Sequence, residues 1–458
     1  MNTLLIPEIR QTLARRDCQS IREFAEDLHP ATVAEFVGDM EPADLNAFLA
    51  CLPPLERGEV FSYLEVPTQV RLAHSLKRDQ LAELVTHMSP DERADLVKRL
   101  KEETLEALWP ALAQAEREDI RRLSSYEEGT AGSVMTSDYV TLLPHLTARE
   151  SIEKIRREAP DRETVYYAYV ITPERRLIGS VSLKDLILAP ASARVEAVMS
   201  RDPILVRVDA DQEEVALEIG KYDLLAIPVV DAEGRMMGIV TVDDVVDLVQ
   251  EAATEDIQKL GGMEALDAPY LDTSFVHMVR KRAGWLAALF LGEMLTATAM
   301  GHFEDEIARA VVLALFVPLI ISSGGNAGSQ ASTLVIRAMA LNEVSLRDWW
   351  RVARRELVSG LALGTVLGSV GFLRVVLWEK VSPTYGEHYV LIAATIAVSL
   401  VGVVTFGTLA GSLLPFVLRR LGLDPASASA PFVATMVDVT GLLIYFSAAS
   451  VILSGALL

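Results

Sequence analysis

Residues 431–446 form an apolar run, Pro-Phe-Val-Ala-Thr-Met-Val-Asp-Val-Thr-Gly-Leu-Leu-Ile-Tyr-Phe, that holds one carboxylate, Asp438. A charge in the middle of a membrane-crossing helix costs about 3 kcal/mol or more. No Lys or Arg lies in the run to pair with it. An acid kept there is by default a cation or proton site; the alternative is a buried Asp bonded to Thr435 or Thr440. A second apolar run carries Glu293, for which spacing alone assigns no role. A third, after Pro318, reads Ser322-Ser-Gly-Gly-Asn-Ala-Gly-Ser-Gln-Ala-Ser-Thr333. Gly324 and Gly328 have the four-residue spacing of closely packed membrane helices. Asn326 and Gln330 repeat that spacing with uncharged polar groups, so this face either packs tightly or lines a wet path.

Carboxylates of another kind crowd residues 243–273, where nine Asp and Glu, among them Glu264, Asp267 and Asp272, accompany Lys259 alone. Asp244, Asp247, Glu251 and Glu255 recur at three or four residues and share one helical face. Like charges at that spacing repel, and Mg²⁺ or Ca²⁺ would relieve them through oxygen ligands. A solvated acidic face is the alternative. The position of this stretch, between a sensor-like region and the membrane, favours a switch.

The elements that must hold these residues divide at Arg282. Residues 283–458 contain ten basic and eleven acidic side chains; the remainder carries a net −20 of the chain's −21. In the C-terminal part, apolar runs long enough to cross the hydrocarbon fall at about 284–303, 308–336, 357–378, 389–417 and 432–456. Arg280–Arg282, the Arg-rich link 337–356, and Arg419 with Arg420 lie on one side; Glu304, Asp305 and Glu306 lie on the other. The positive-inside rule then places the N-terminal half in the cytoplasm and Leu458 outside. The length of 458 residues, 51% hydrophobic content and mean hydropathy of +0.29 exclude a disordered chain. The acidic balance argues against nucleic acid as a partner. Cys18 and Cys51 are the only cysteines and make no disulfide framework. The segment from Met1 to Arg16 lacks a signal-peptide pattern.

The soluble half contains a repeat. Gly179-Ser-Val-Ser-Leu-Lys-Asp185 aligns with Gly238-Ile-Val-Thr-Val-Asp-Asp244, and Val134-Met-Thr136 with Val198-Met-Ser200. Each copy reads as strand, turn, strand and helix, with Ser182 or Thr241 capping the helix. Residues 1–130 read as short antiparallel helices punctuated by Pro30, Pro42, Pro54, Pro67 and Pro90. They show no catalytic constellation, and no His/Cys spacing suggests zinc. The chain has no nucleophile–base or metal-hydrolase motif, so no enzyme is expected.

The repeat resembles a pair of cystathionine-β-synthase (CBS) domains. On that resemblance Asp185 and Asp244 are candidates for the ribose hydroxyls of an adenine nucleotide such as ATP, with Tyr167 beside them. Pro318, Gly324-Gly325-Asn326, Gly328, Gln330, Leu423-Asp424-Pro425 and Thr435-x-x-Asp438 together resemble the MgtE family of magnesium channels, over essentially the whole chain. The resemblance implies an all-α helical-repeat N domain (1–130), an α+β CBS pair (131–250), a long acidic connecting helix and linker (243–282), and an α-helical membrane domain of five helices (283–458). It implies a homodimer in the cell membrane with one central pore. Asp438 would select Mg²⁺, with the Ala434 carbonyl one turn below and Gly325, Asn326, Gln330 and Thr435 lining the path. The regulatory Mg²⁺ ligands it implies are Asp91, Asp95, Asp211, Glu213, Asp223, Asp244, Asp247, Glu255, Asp256 and Asp424. Ala252 and Ala430 depart from the family, where an acid and a polar residue are common. A proton-coupled transporter in which Asp438 titrates, and a membrane-anchored nucleotide sensor, are the alternative functions. Selection among Mg²⁺, Mn²⁺ and Co²⁺ is not legible in the sequence.

Overall fold

Proline opens helix after helix at the N-terminal end, where its missing N–H is not needed. The helices Pro30–Val37, Pro42–Leu49, Pro54–Ser62 and Pro90–Arg99 all begin on one, and Val66–Ser75 has Pro67 in its first turn. Their apolar positions, including Val33, Val37, Leu45, Phe48, Leu49, Phe61 and Leu72, form one buried core. The structure, a computed structural model, describes residues 6–159, 162–266, 268–271 and 273–457. Asp267, Asp272 and Leu458, named above, lie outside them. The chain forms two compact units, Met1–Glu251 and Ala252–Leu458.

One expectation is corrected here. Cys18 and Cys51 are joined by a disulfide across 33 residues. Helix packing brings them together: Arg22, one turn after Cys18, donates to the Cys51 carbonyl at 2.6 Å. Sequence spacing carries no trace of that contact.

The repeat folds as expected and, among the described residues, gains one strand and two helices per copy, the first helix a single turn (Ala131–Val134 and Val195–Val198). The strands are β1 (Val140–Leu142), β2 (Tyr167–Ile171) and β3 (Leu177–Ser182), then β4 (Val206–Arg207), β5 (Ala226–Val230) and β6 (Met236–Thr241). In each three-stranded sheet the first strand pairs parallel with the middle one, and the last pairs antiparallel. Both copies shift register at the same point, Val170/Ile171 and Val229/Val230. The repeated sequence markers touch crosswise. A Cβ on Gly179 would lie 2.6 Å from the Ser200 carbonyl oxygen, and one on Gly238 2.7 Å from that of Thr136. Only glycine admits so close an approach of backbone to backbone, which explains why the same glycine stands in both copies.

The connecting helix runs Val242–Leu260. It stops at a turn that needs Gly262, at φ +74°, and the next helix starts at Phe275 and already includes Arg280–Arg282.

The described residues contain five helical segments long and apolar enough to cross a membrane: Phe275–His302, Val311–Ala340, Leu346–Val381, Tyr389–Arg420 and Ala430–Ile452. They outrun most of the hydropathy limits because a helix continues past the hydrocarbon into polar turns. Glycines set how they pack. Gly407 and Gly411 of the fourth helix abut the carbonyl oxygens of Gly324 and Gly328 of the second, leaving no room for a Cβ. A Cβ on Gly364 or Gly368 of the third helix would sit 2.7 Å from Val401 Cα or 2.8 Å from the Ala397 carbonyl oxygen. The close-packing reading of Gly324 and Gly328 therefore holds. The first helix is the exception, with Ala299 as its one buried residue among those described.

Candidate ion path and regulatory carboxylates

Asp438 lies in the fifth membrane helix, Ala430–Ile452, which Ser429 caps by accepting from the Phe432 N–H. The threonines that could have bonded it do not. Thr435 donates to the Pro431 carbonyl at 3.0 Å and Thr440 to the Met436 carbonyl at 2.8 Å, the i−4 bonding usual for helical threonine. The neighbour of Asp438 is Glu293 of the first helix, whose carboxyl is within hydrogen-bonding reach. Gly292 permits this: a Cβ there would meet Thr435 Cγ2 at 2.6 Å, so the two helices touch one residue before Glu293. Gly325 packs against Ala434, with 3.4 Å from its ideal Cβ position to Ala434 Cα. Asn326 and Gln330 are exposed on a shared face of the second helix. Ser329 and Ser332 of that helix donate to the carbonyls of Ala430 and Ala428, at 3.2 and 2.8 Å, and fix the entry to the fifth.

At the end of the connecting helix, three of the expected acids surround a lysine. Lys259 Nζ lies 2.6 Å from Asp424 Oδ2 and 2.5 Å from Glu255 Oε1. The other Asp424 oxygen caps a short turn by accepting from the Ala426 N–H at 2.8 Å. Burial and the nearby Asp424 charge raise the Asp256 carboxyl above its ordinary value. Burial opposes the Lys259 charge, but its hydrogen bonds to Asp424 and Glu255 overcome this and hold the ammonium above the usual lysine value. Leu260 packs on Ile336, Ala426 and Ala428. The site reading missed Lys259, because a lysine inside an acidic run carries no signal of which distant acid it meets. Lys259→Met should expose these three acids to one another. Trypsin cannot report on a lost lysine, so glutamyl-endopeptidase cleavage after Glu255 should be compared. Faster cutting without Mg²⁺ is expected, with protection restored when Mg²⁺ is added.

In the soluble unit the structure brings Asp91 and Asp244 together. Burial, then the charge of Asp244, raises the Asp91 carboxyl well above its ordinary value. Its Oδ1 is buried without a hydrogen-bond partner. Burial, followed by the charges of Asp243 and Glu92, raises Asp244 to about 6, against the pull of its bond from Thr241. Beside them a polar cavity of about 570 Å³ is lined by Glu59, Glu92, Arg93, Asp138 and Glu163 among others. The other expected ligands do not converge. Asp95 pairs with Lys98 at 3.3 Å. Asp211 caps its helix by accepting from the Glu213 N–H, and Asp223 ends the same helix in the left-handed region at φ +51°. Asp247 is exposed. Among the described residues no three His, Cys, Asp or Glu gather as a metal site would require.

Ser182 donates to Asp185 Oδ2 and Thr241 to Asp244 Oδ2, both at 2.6 Å. The capping role is as expected for Ser182, which also accepts from the Asp185 N–H at 3.0 Å. Asp185 is exposed and Tyr167 half-buried.

Five helices long and apolar enough to cross a membrane, one of them with an acid set against a second acid, define a multi-pass membrane protein with an ionisable pair inside the membrane. Residues 317–448 match the family described as MgtE, divalent cation transporter; 28–129 match the MgtE intracellular N domain; 131–192 and 195–251 match the CBS domain. The chain is 39% identical over 456 residues to the magnesium transporter MgtE of Thermus thermophilus, covering 99% of each. It is 34% identical to that of Enterococcus faecalis, covering 72% of this chain and 71% of the relative. The soluble half is similar to the crystal structure of the soluble part of a magnesium transporter (29% identity, TM-score 0.52, 55% of this chain and 100% of that one). It is also similar to the cytosolic domain of the Mg²⁺ channel MgtE in complex with ATP (36% identity, TM-score 0.50, 52% and 98%). The chain belongs to the MgtE family of magnesium transporters and is not an enzyme.

Proposed function

We propose that the chain is a Mg²⁺ channel for magnesium uptake that cytosolic Mg²⁺ closes. The observation that carries the reading is Asp438: a carboxylate at mid-membrane whose threonine neighbours bond elsewhere and whose neighbour across the helix contact is a second acid, Glu293. Such a group needs a cation or a proton. Mg²⁺ sheds its waters reluctantly, so Asp438 holds it through its hydration shell. The Ala434 carbonyl lies below, and Gly325, Asn326, Gln330 and Thr435 line the path.

Closure works through the acids outside the membrane. Asp91 and Asp244 repel across a buried contact in which one oxygen has no partner, and a bridging cation removes both penalties. Glu255, Asp256 and Asp424 form a second group, in which Mg²⁺ competes with Lys259. Asp95, Asp211, Glu213, Asp223 and Asp247 supply further weak sites at surfaces that close together. Two copies form the channel. Ile187 and Leu188, 63% and 72% exposed, and Val246 and Val249, 60% and 53% exposed, offer apolar helix faces for that pairing. The soluble half faces the cytoplasm and the C-terminus the outside, by the distribution of arginine.

ATP is a second ligand on this reading, since a relative's cytosolic domain is described in complex with it. Asp185→Ala should weaken ATP binding to the full-length protein about tenfold, the usual effect of losing a charged hydrogen-bond acceptor. Isothermal titration checks this; equal affinity would leave Asp185 as a helix cap.

The function is tested by Mg²⁺ flux into vesicles with Mg²⁺ and pH varied on the cytoplasmic side. Flux that falls steeply with cytoplasmic Mg²⁺ and ignores a pH gradient is expected. Flux driven by the gradient would make Asp438 a proton carrier, and no flux would leave a sensor.

A further inference from the structure

Glu293 has no part in the ion path or the closure described above. It stands in the first membrane helix, in a run from Trp285 to Met300 with no other charge. Its side chain is exposed on the protomer. A carboxylate at that depth facing lipid would cost several kcal/mol, so it faces protein or water. Its partner is the one acid of the fifth helix, Asp438, within hydrogen-bonding reach. The contact is built by the backbone rather than met by chance: Gly292, the residue before, lets the helix close onto Thr435, with 2.6 Å from an added Cβ to Thr435 Cγ2. Three residues on, the Thr296 hydroxyl is buried without a hydrogen-bond partner. The first helix buries only Ala299 among its described residues, so little of it is covered within the protomer.

We propose that Glu293 lines the ion path beside Asp438 and, with it, determines the preference for divalent over monovalent cations, which rests on the channel reading above. The physical reason is charge. A fixed carboxylate attracts a divalent ion twice as strongly as a monovalent one at the same distance. Two carboxyls in hydrogen-bonding reach share a proton when no ion is present; a divalent ion that displaces this proton meets two charges, which raises the preference for Mg²⁺ over K⁺.

The test uses the full chain in vesicles or patches. In Glu293→Gln, which keeps the side chain's shape, the Mg²⁺/K⁺ permeability ratio should fall about tenfold or more. Glu293→Asp, which keeps the charge, should retain most of the ratio. In a chain with Cys18 and Cys51 replaced by Ser, Glu293→Cys should react with a cationic methanethiosulfonate reagent, and Mg²⁺ should slow that reaction. An unchanged ratio in the Gln variant, an equal loss in the Asp and Gln variants, or a cysteine that Mg²⁺ does not protect would each overturn the assignment. An absence of Mg²⁺ current in the wild type would instead remove the channel reading itself, so the two failures are separable.

Discussion

Asp438→Asn is expected to yield an assembled protein whose Mg²⁺ flux is reduced roughly 100-fold or more, because the variant keeps the shape and loses the charge that a dication meets in a medium of low dielectric. The assembly should survive. The helix is held by Ser329 and Ser332 at its entry and by Tyr445, which donates to the Leu313 carbonyl at 2.9 Å. None of these involves Asp438. Gel filtration and thermal unfolding in detergent check the first half of this expectation, and vesicle flux checks the second. Undiminished flux in the Asn variant would sink the pore assignment. Asp438→Glu is the informative companion: it restores charge one methylene further out and should recover part of the flux.

The second large effect is expected at Asp91 and Asp244. Both carboxyls are raised, so the folded arrangement binds protons more tightly than the unfolded chain does. For such a group the stabilisation is fully present below the unfolded value, near pH 4, and is lost as pH rises through the folded value, about 6 for Asp244. The soluble unit without Mg²⁺ should therefore gain stability as pH falls from 7.5 to 5.5, and Mg²⁺ at pH 7.5 should do what protons do at 5.5. Asp91→Asn with Asp244→Asn should raise the Mg²⁺-free melting temperature by a few degrees. It should also remove most of the Mg²⁺ and pH dependence and shift channel closure to higher Mg²⁺. Scanning calorimetry at two pH values, with and without Mg²⁺, tests it. A double variant that still responds to Mg²⁺ like the wild type would return these acids to a structural role.

The elements were more legible than their contacts. The membrane helices announce themselves because every backbone group in lipid must be bonded within the helix, which forces long apolar runs. The CBS copies are visible because the crosswise approach at Gly179 and Gly238 tolerates no other residue. Proline marks the N-terminal helices for an equally local reason. The contacts that matter most at the site are not local. Lys259 meets Asp424 across 165 residues, Asp91 meets Asp244, Glu293 meets Asp438, and Cys18 meets Cys51. Periodicity shows which residues share a helix face; it does not show which face lies opposite. Asp438 is legible because an acid in lipid is anomalous by itself; Glu293 is anomalous for the same reason, but its role depends on a neighbour in a helix far along the chain.

The glycine seams between the second, third and fourth membrane helices bear on how such a machine can move. Where Gly407 and Gly411 rest on Gly324 and Gly328, main chain meets main chain, with no side chains between to change rotamer and take up a displacement. Those three helices thus form a stator. The part free to act as a rotor is the one with little buried against it, the first helix; the buried turn at Gly262 touches it, with its ideal Cβ position 3.0 Å from Trp285 Cδ1 and 3.1 Å from Pro431 Cγ. A push on that turn falls on two helices at once, at Trp285 of the one that carries Glu293 and at Pro431 of the one that carries Asp438. Their spacing, rather than the bore of the whole bundle, is the dimension such a push would alter.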